Sequence, residues 1–164
     1  MKKIVTDLRS FTHPGTGELE DVKVGETVDM ARRLLSHEWK ADVQIHQQIP
    51  DRLVVEANRS KLVQVFVNLL LNSIIACKQG GKIAIQTHQG EGGEKVSIEI
   101  LDDGPGFPEE YLERAFDPFF TTRPGGTGLG LSISKKIILS HGGTIEISNR
   151  NGKGAKVTIT LPVK

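Results

Sequence analysis

Between Leu101 and Leu131 stands a segment that no regular element can hold. Gly104, Gly106, Gly125, Gly126, Gly128 and Gly130 are interspersed there with Pro105, Pro108, Pro118 and Pro124. Glycine loses the most conformational freedom on entering a helix or strand, and proline lacks the N–H that either hydrogen-bond ladder requires. An apolar strand pattern leads in and an apolar helix pattern leads out, so the segment is a long loop slung between a strand and a helix. Loops of this length inside one compact domain are usually functional. Glycine is 18 of 164 residues, against a usual share of ~7%, and a third of it lies in this window.

The rest of the chain bounds what that loop can serve. A length of 164 residues fits one domain with a sizeable core. Twenty-one Lys and Arg against 20 Asp and Glu leave a formal charge of +1, which argues against a nucleic-acid or anionic-membrane surface. No apolar run approaches the ~20 residues of a membrane span, and Met1-Lys2-Lys3 is not followed by a signal-peptide core. Cys77 is the only cysteine, which excludes an intrachain disulfide and a cysteine-based zinc site and points to a reducing cytoplasm.

Periodicity assigns the elements. Ile4, Val5, Leu8 and Phe11 have helical spacing, ended by His13-Pro14-Gly15-Thr16-Gly17, so residues 1–17 read as a linker or the tail of a neighbouring helix and residues 18–164 as the domain. Val28 to Leu35 predicts a helix, Val43 to Ile49 a half-buried strand, and Leu53-Val54-Val55 a short partner strand for it. Asn58 is an N-cap candidate for a helix burying Leu62, Val65, Phe66, Leu69, Leu70, Ser73 and Ile74, with Gly80-Gly81 ending it. Strands are expected at 82–88 and 95–101, antiparallel across a glycine turn. A helix capped by Thr127 runs through His141, and a hairpin around Asn151-Gly152 joins strands 144–148 and 155–161. The sum is an α+β two-layer sandwich, with helices on one face of a mixed, mainly antiparallel sheet.

Three segments could carry chemistry. In Asp102-Asp103-Gly104-Pro105-Gly106 a strand delivers carboxylates into a glycine turn. It is either a pocket with an acidic hydrogen-bond acceptor or an ordinary Asp-Gly turn. Gly126-Thr127-Gly128-Leu129-Gly130 precedes a helix, where bare amides and the positive helix end suit phosphate. It lacks the Gly-Lys-Ser/Thr of a P-loop, and its GxGxG spacing is not the GxGxxG of a dinucleotide fold. The alternative, a flexible linker, fits Thr127, Leu129 and Leu131 poorly. Asn68 and Asn72 lie one turn apart on an apolar helix. They are either packed amides or hard oxygen donors of the kind Mg²⁺ accepts.

Taken in order, Asn68/Asn72, the Asp102 to Gly106 turn, Phe116-Asp117-Pro118-Phe119-Phe120 and Gly126 to Gly130 resemble the N, G1, F and G2 boxes of the GHKL ATP-binding superfamily, in its Bergerat-type fold. The nearest likeness is to the catalytic domain of sensor histidine kinases, over residues 18–164. The resemblance implies that Asp102 accepts a hydrogen bond from the adenine amino group, with Gly104 and Gly106 shaping the pocket floor. It implies that Asn72 coordinates Mg²⁺ and that Asn68 contacts metal or phosphate. Gly126, Thr127, Gly128 and Gly130 would cradle the phosphates and Leu129 would pack beside the nucleotide. Residues 107–125 would be an ATP lid anchored by Phe116, Phe119 and Phe120, with Arg123 meeting phosphate charge.

The resemblance also implies a reaction: Mg-ATP is bound and its γ-phosphoryl group passes to a histidine on a dimerisation and phosphoacceptor domain absent from this chain, with a response regulator downstream. Related gyrase, chaperone and mismatch-repair ATPases place a water-activating glutamate where Asn68 stands, and an amide is a poor general base. A GHKL regulatory module, an ATPase and an anti-sigma-type serine kinase are the alternative readings. His37-Glu38 begins like an acceptor motif, but Trp39-Lys40-Ala41-Asp42 lacks its proline. Ala155 stands where many relatives carry a hydroxyl near the adenine, and Ser73 replaces a commoner alanine.

Overall fold

A computed structural model describes residues 17–38, 42–77 and 80–164. The expected helix over 2–11, His13, and residues 39–41 of the acceptor-like segment lie outside the described residues. The elements are β1 (Glu20–Lys23), α1 (Val24–Leu34), β2 (Val43–Gln48), β3 (Val54–Ala57), α2 (Arg59–Ala76), β4 (Gly81–Gln89), β5 (Lys95–Asp102), the single turn α3 (Glu109–Leu112), α4 (Gly130–Ser140), β6 (Thr144–Asn149) and β7 (Ala155–Pro162).

Five strands form one sheet in the order β2-β4-β5-β7-β6. Only β2 and β4 run parallel, and the other three pairings are antiparallel. Period-two burial makes the sheet one-sided: Val96, Ile98, Ile100 and Asp102 of β5 and Ala155, Val157, Ile159 and Leu161 of β7 are buried while their neighbours are not. The helices cover that face. The apolar residues of α2, among them Leu62, Phe66, Leu69 and Leu70 at 0% exposure, join those strands in one core. At roughly 1.5–3 kcal/mol for each fully buried large side chain, this packing is the main stabilising term. The expected two-layer architecture is present.

Asn58 caps α2 as its sequence position predicts, Oδ1 accepting from Lys61 N at 3.0 Å. Its own N–H donates to His141 Nε2 at 3.0 Å, while His141 Nδ1 lies 2.7 Å from the Ile137 carbonyl oxygen. A carbonyl only accepts, so the imidazole carries its proton on Nδ1 and joins the end of α4 to the start of α2.

Two expectations are corrected. The strand near Leu53 does not pair with β2; β3 pairs antiparallel with β1 in a separate two-stranded sheet, and β2 pairs with β4. The connection turns at Pro50, whose carbonyl accepts from Leu53 N at 3.0 Å, and Leu53 O then receives Val24 N at 3.1 Å, delivering β3 to the N-terminal segment. Ion pairs fasten that segment: Glu20 to Arg59 at 3.0 Å and Asp21 to Lys164 at 2.7 Å. The helix expected from Thr127 starts instead at Gly130. Gly128 has φ +69, outside the right-handed helical region, and Thr127 Oγ1 accepts from Leu129 N at 3.3 Å, so the intervening residues remain a loop.

Candidate functional site

Helix α2 organises the site because residues four apart share one flank. Asn68 Nδ2 donates towards Gly130 O at 3.3 Å and Ser134 Oγ at 3.4 Å, at the start of α4. One turn on, Asn72 Oδ1 accepts from Arg123 Nη2 at 2.8 Å, in the long loop. One turn further, Ala76 abuts the Asp102 turn so closely that a Cβ on Gly104 would come within 2.9 Å of the Ala76 Cβ. Residues 68, 72 and 76 thus meet the glycine loop, the proline-rich loop and the carboxylate turn in succession, over about 12 Å of helix.

At the carboxylate end, strand parity continues past Ile100 and puts Asp102 on the core face, 5% exposed. A carboxylate there requires donors. Oδ1 accepts from Gly104 N at 3.0 Å and Ala155 N at 3.2 Å. Its second oxygen accepts no hydrogen bond from another group among the described residues. Ala155 therefore contributes through its backbone. A cleft of about 320 Å³ adjoins the turn, lined by Ala76, Cys77, Asp103, Gly104 and Lys153. Burial pushes the Cys77 thiol up to about 11, and its S–H points at Asp103 Oδ1, 3.5 Å away. It is an unreactive packing residue at neutral pH.

Three residues absent from the sequence expectations hold this turn in place. Asn149 pairs with both backbone polar groups of Phe107: Phe107 N donates to Oδ1 at 2.8 Å and Nδ2 donates to Phe107 O at 2.7 Å. Arg150 Nη1 donates to Asp102 O at 2.8 Å. Gly154, at φ +105, lies where any Cβ would overlap the Asp102 carbonyl oxygen. The glycine-rich Asn149 to Gly154 hairpin was legible as a turn; its docking on a loop 42 residues earlier was not.

In the long loop, Phe116 packs against the core with Lys135 Nζ 5.0 Å from its ring. Phe120 meets the Tyr111 ring at 5.5 Å and carries the Arg114 guanidinium at 4.5 Å. Phe119, the one described non-glycine residue with positive φ (67), is 65% exposed. Its N–H donates to Gly128 O at 2.8 Å, and a Cβ at Gly128 would collide with the Phe119 backbone. Gly126 N donates to Arg123 O at 3.1 Å. The aromatic segment and the glycine loop are therefore joined through their backbones. Leu129, 1% exposed, belongs to the core. Gly106 lies against Asn149 and Gly154. His46 stands on β2 and His88 lies 3.2 Å from Glu99 on the sheet.

Arg123 is half-buried, and burial shifts its guanidinium down from its ordinary value. It forms no ion pair among the described residues. A desolvated cation resting on a neutral amide attracts anions. The donors nearby are amide oxygens, and no group of three or more His, Cys, Asp or Glu could hold a metal by itself among the described residues. That donor set fits Mg²⁺ held largely by substrate phosphates, and the cation on Asn72 Oδ1 marks that oxygen as one a positive charge can approach.

A buried carboxylate at one end of a helix flank and, at the other, a glycine loop beside an arginine with no carboxylate partner among the described residues suit the two poles of a nucleoside triphosphate. The family model described as "Histidine kinase-, DNA gyrase B-, and HSP90-like ATPase" matches residues 57–164. Sensor histidine kinase ZraS of Escherichia coli O157:H7 is 34% identical over 99% of this chain and 36% of its own length. Among solved structures, the mycobacterial sensor histidine kinase MprB aligns with TM-score 0.81 at 26% identity, covering 89% of this chain and 98% of that one. The catalytic domain of histidine kinase ThkA aligns at 0.77 with 36% identity, covering 88% and 95%. ThkA in complex with response regulator protein TrrA aligns at 0.78 with 30% identity, covering 99% of this chain and 47% of that one. The chain belongs to the histidine kinase-, DNA gyrase B- and HSP90-like ATPase family, and its fold is that of the histidine kinase catalytic domains. It spans about a third of the length of ZraS. Among the described residues no helix is long and apolar enough to cross a membrane.

Proposed function

We propose that this domain binds Mg-ATP along the α2 flank and presents the γ-phosphoryl group to a histidine on a separate dimerisation and phosphoacceptor domain of a sensor histidine kinase, which then serves a response regulator. The observation that carries the reading is the pairing of Asn68 and Asn72 with the glycine loop and Arg123, at one turn's spacing from the Asp102 pocket. Asp102 reads the adenine amino group with the oxygen its backbone donors leave over. Asn68 gives its NH₂ to Gly130 and Ser134 and so turns its oxygen away from them. Asn72 is the metal ligand, and Gly126 to Gly130 bind phosphate through loop amides.

Bound Mg²⁺ supplies charge neutralisation on the phosphates. The chain's own part is alignment: α2 sets the distance between the base and the transferred group, and the loop from 107 to 125 excludes water over it. Asn68 has no basicity with which to activate water, which favours transfer to a partner's imidazole over hydrolysis. The resemblance to ThkA, solved with a response regulator, supports the proposed downstream partner. The test is incubation with γ-labelled ATP and a separately supplied dimerisation domain. Acid-labile, base-stable label on that domain is the expected result. Acid-stable label or rapid release of free phosphate would assign a serine kinase or an ATPase instead.

A further inference from the structure

Arg123 stands on the very oxygen that the proposed function gives to the metal. Nη2 donates to Asn72 Oδ1 at 2.8 Å, and Arg123 has no carboxylate to prefer among the described residues. Its backbone is tied on both sides: Arg123 N donates to Thr121 Oγ1 at 3.1 Å, and Arg123 O accepts from Gly126 N at 3.1 Å. The arginine therefore sits at the junction between the aromatic part of the loop and the glycines that follow. Mg²⁺ demands short, nearly octahedral oxygen contacts. Two positive groups on one amide oxygen repel each other with little water between them to screen the charge.

We propose that Arg123 and the divalent cation are alternative occupants of Asn72 Oδ1, so that metal-nucleotide binding expels the arginine from α2 and frees it, with the loop it anchors, to turn towards the phosphates. Resting on the reading of Asn72 as a metal ligand, this makes Arg123 a positioning residue that couples cation occupancy to loop position. Each occupant weakens the other, as linkage requires.

Manganese alone, without nucleotide, tests the competition free of any phosphate contact by Arg123. The readout is paramagnetic broadening of the Asn68 and Asn72 carboxamide protons by NMR during Mn²⁺ titration. Arg123→Ala and Arg123→Gln are expected to lower the Mn²⁺ concentration for half-maximal broadening by about fivefold or more. That gain is expected to persist at about 0.5 M KCl, where screening reaches roughly 4 Å. No gain in either variant, or a gain abolished by salt, would overturn the proposal, the latter assigning the effect to the general field. In the Arg123→Ala background, Asn72→Leu is expected to remove the broadening at Asn68. If broadening survives Asn72→Leu, the ligand reading itself has failed, a result distinct from failure of the competition. In a second measurement Mg-ADP is expected to return the Asn72 carboxamide shift of the wild-type protein to that of Arg123→Ala. A persistent difference would mean that the arginine stays in place, against the proposal.

Discussion

The carboxamide of Asn149 makes both hydrogen bonds of a peptide pair with Phe107, at 2.8 and 2.7 Å. A side chain from β6 thus completes the backbone pairing of the residue at which the long loop departs, and it does so 42 positions away in sequence. The carboxylate turn and the loop share this fastening, so loosening it should be felt at both.

Asn149→Ala leaves two backbone groups without their protein partner. The expected cost is about 1–2 kcal/mol in chemical denaturation, together with weaker ADP binding by calorimetry. Asn149→Asp keeps the acceptor and loses the donor, placing a charged oxygen against the Phe107 carbonyl. It is expected to be at least as damaging at pH 7 and partly rescued towards pH 4, where an ordinary aspartate gains a proton.

Glycines 152 and 154 form an internal control. Both have φ near +100, but nothing lies within 4 Å of a Cβ at Gly152 while a Cβ at Gly154 overlaps the Asp102 carbonyl. Gly152→Ala should cost only the backbone strain, about 1 kcal/mol. Gly154→Ala should cost several times more and abolish nucleotide binding, since the turn must move before the methyl group fits. Equal denaturation midpoints for the two variants would contradict this.

Asp102→Asn keeps an oxygen for Gly104 N and Ala155 N and replaces the other with an NH₂. The variant is expected to stay folded while losing ADP affinity by about tenfold or more, the scale of a lost charge-assisted hydrogen bond. Affinity for inosine diphosphate, whose base offers an oxygen in place of the amino group, should fall less or rise. Calorimetry with both nucleotides reads the inversion.

Cys77 tests the packing under the carboxylate turn. With its thiol pushed to about 11 by burial, its alkylation at pH 8 should be roughly two orders of magnitude slower than that of an unfolded cysteine of ordinary pKa. Alkylation at the unfolded rate would mean that the end of α2 opens readily.

Glu99 gives a pH signature. Its carboxyl is lowered from its ordinary value chiefly by the Gln86 side-chain hydrogen bond at 2.8 Å, with Lys156 and His88 adding to it. Because the folded value lies below the unfolded one, the stabilisation is complete above about pH 5 and is lost as the pH falls through the folded value. Glu99→Gln is expected to cost about 1 kcal/mol at pH 7 and progressively less as the pH falls below about 4, a trend that denaturation across that range measures.

Much of this molecule was legible because its signals are local. Alternation over 95–102 and the capped apolar run from Asn58 fix β5 and α2, and with them the positions of Asp102, Asn68 and Asn72. β1 escaped because Glu20-Asp21-Val22-Lys23 holds a single apolar residue and no alternation to read. The partner of β3 was misread because adjacency in sequence favours a hairpin, whereas the Pro50 turn sends the strand to β1. Thr127 is a strong cap type, but the left-handed Gly128 keeps a helix from starting beneath it. The Asn149, Arg150 and Arg123 contacts are side-chain bonds across 42, 48 and 51 residues, and residue type alone carries no trace of such distances.

The Asp21 to Lys164 ion pair has a mechanical meaning. It fastens the first described strand to the last residue of the chain, with Glu56 of β3 3.8 Å from the same ammonium. β1 and residue 164 meet at one corner of the described residues. Fraying at either end of residues 17–164 therefore removes the same pair of contacts on one ammonium, so the two ends loosen together.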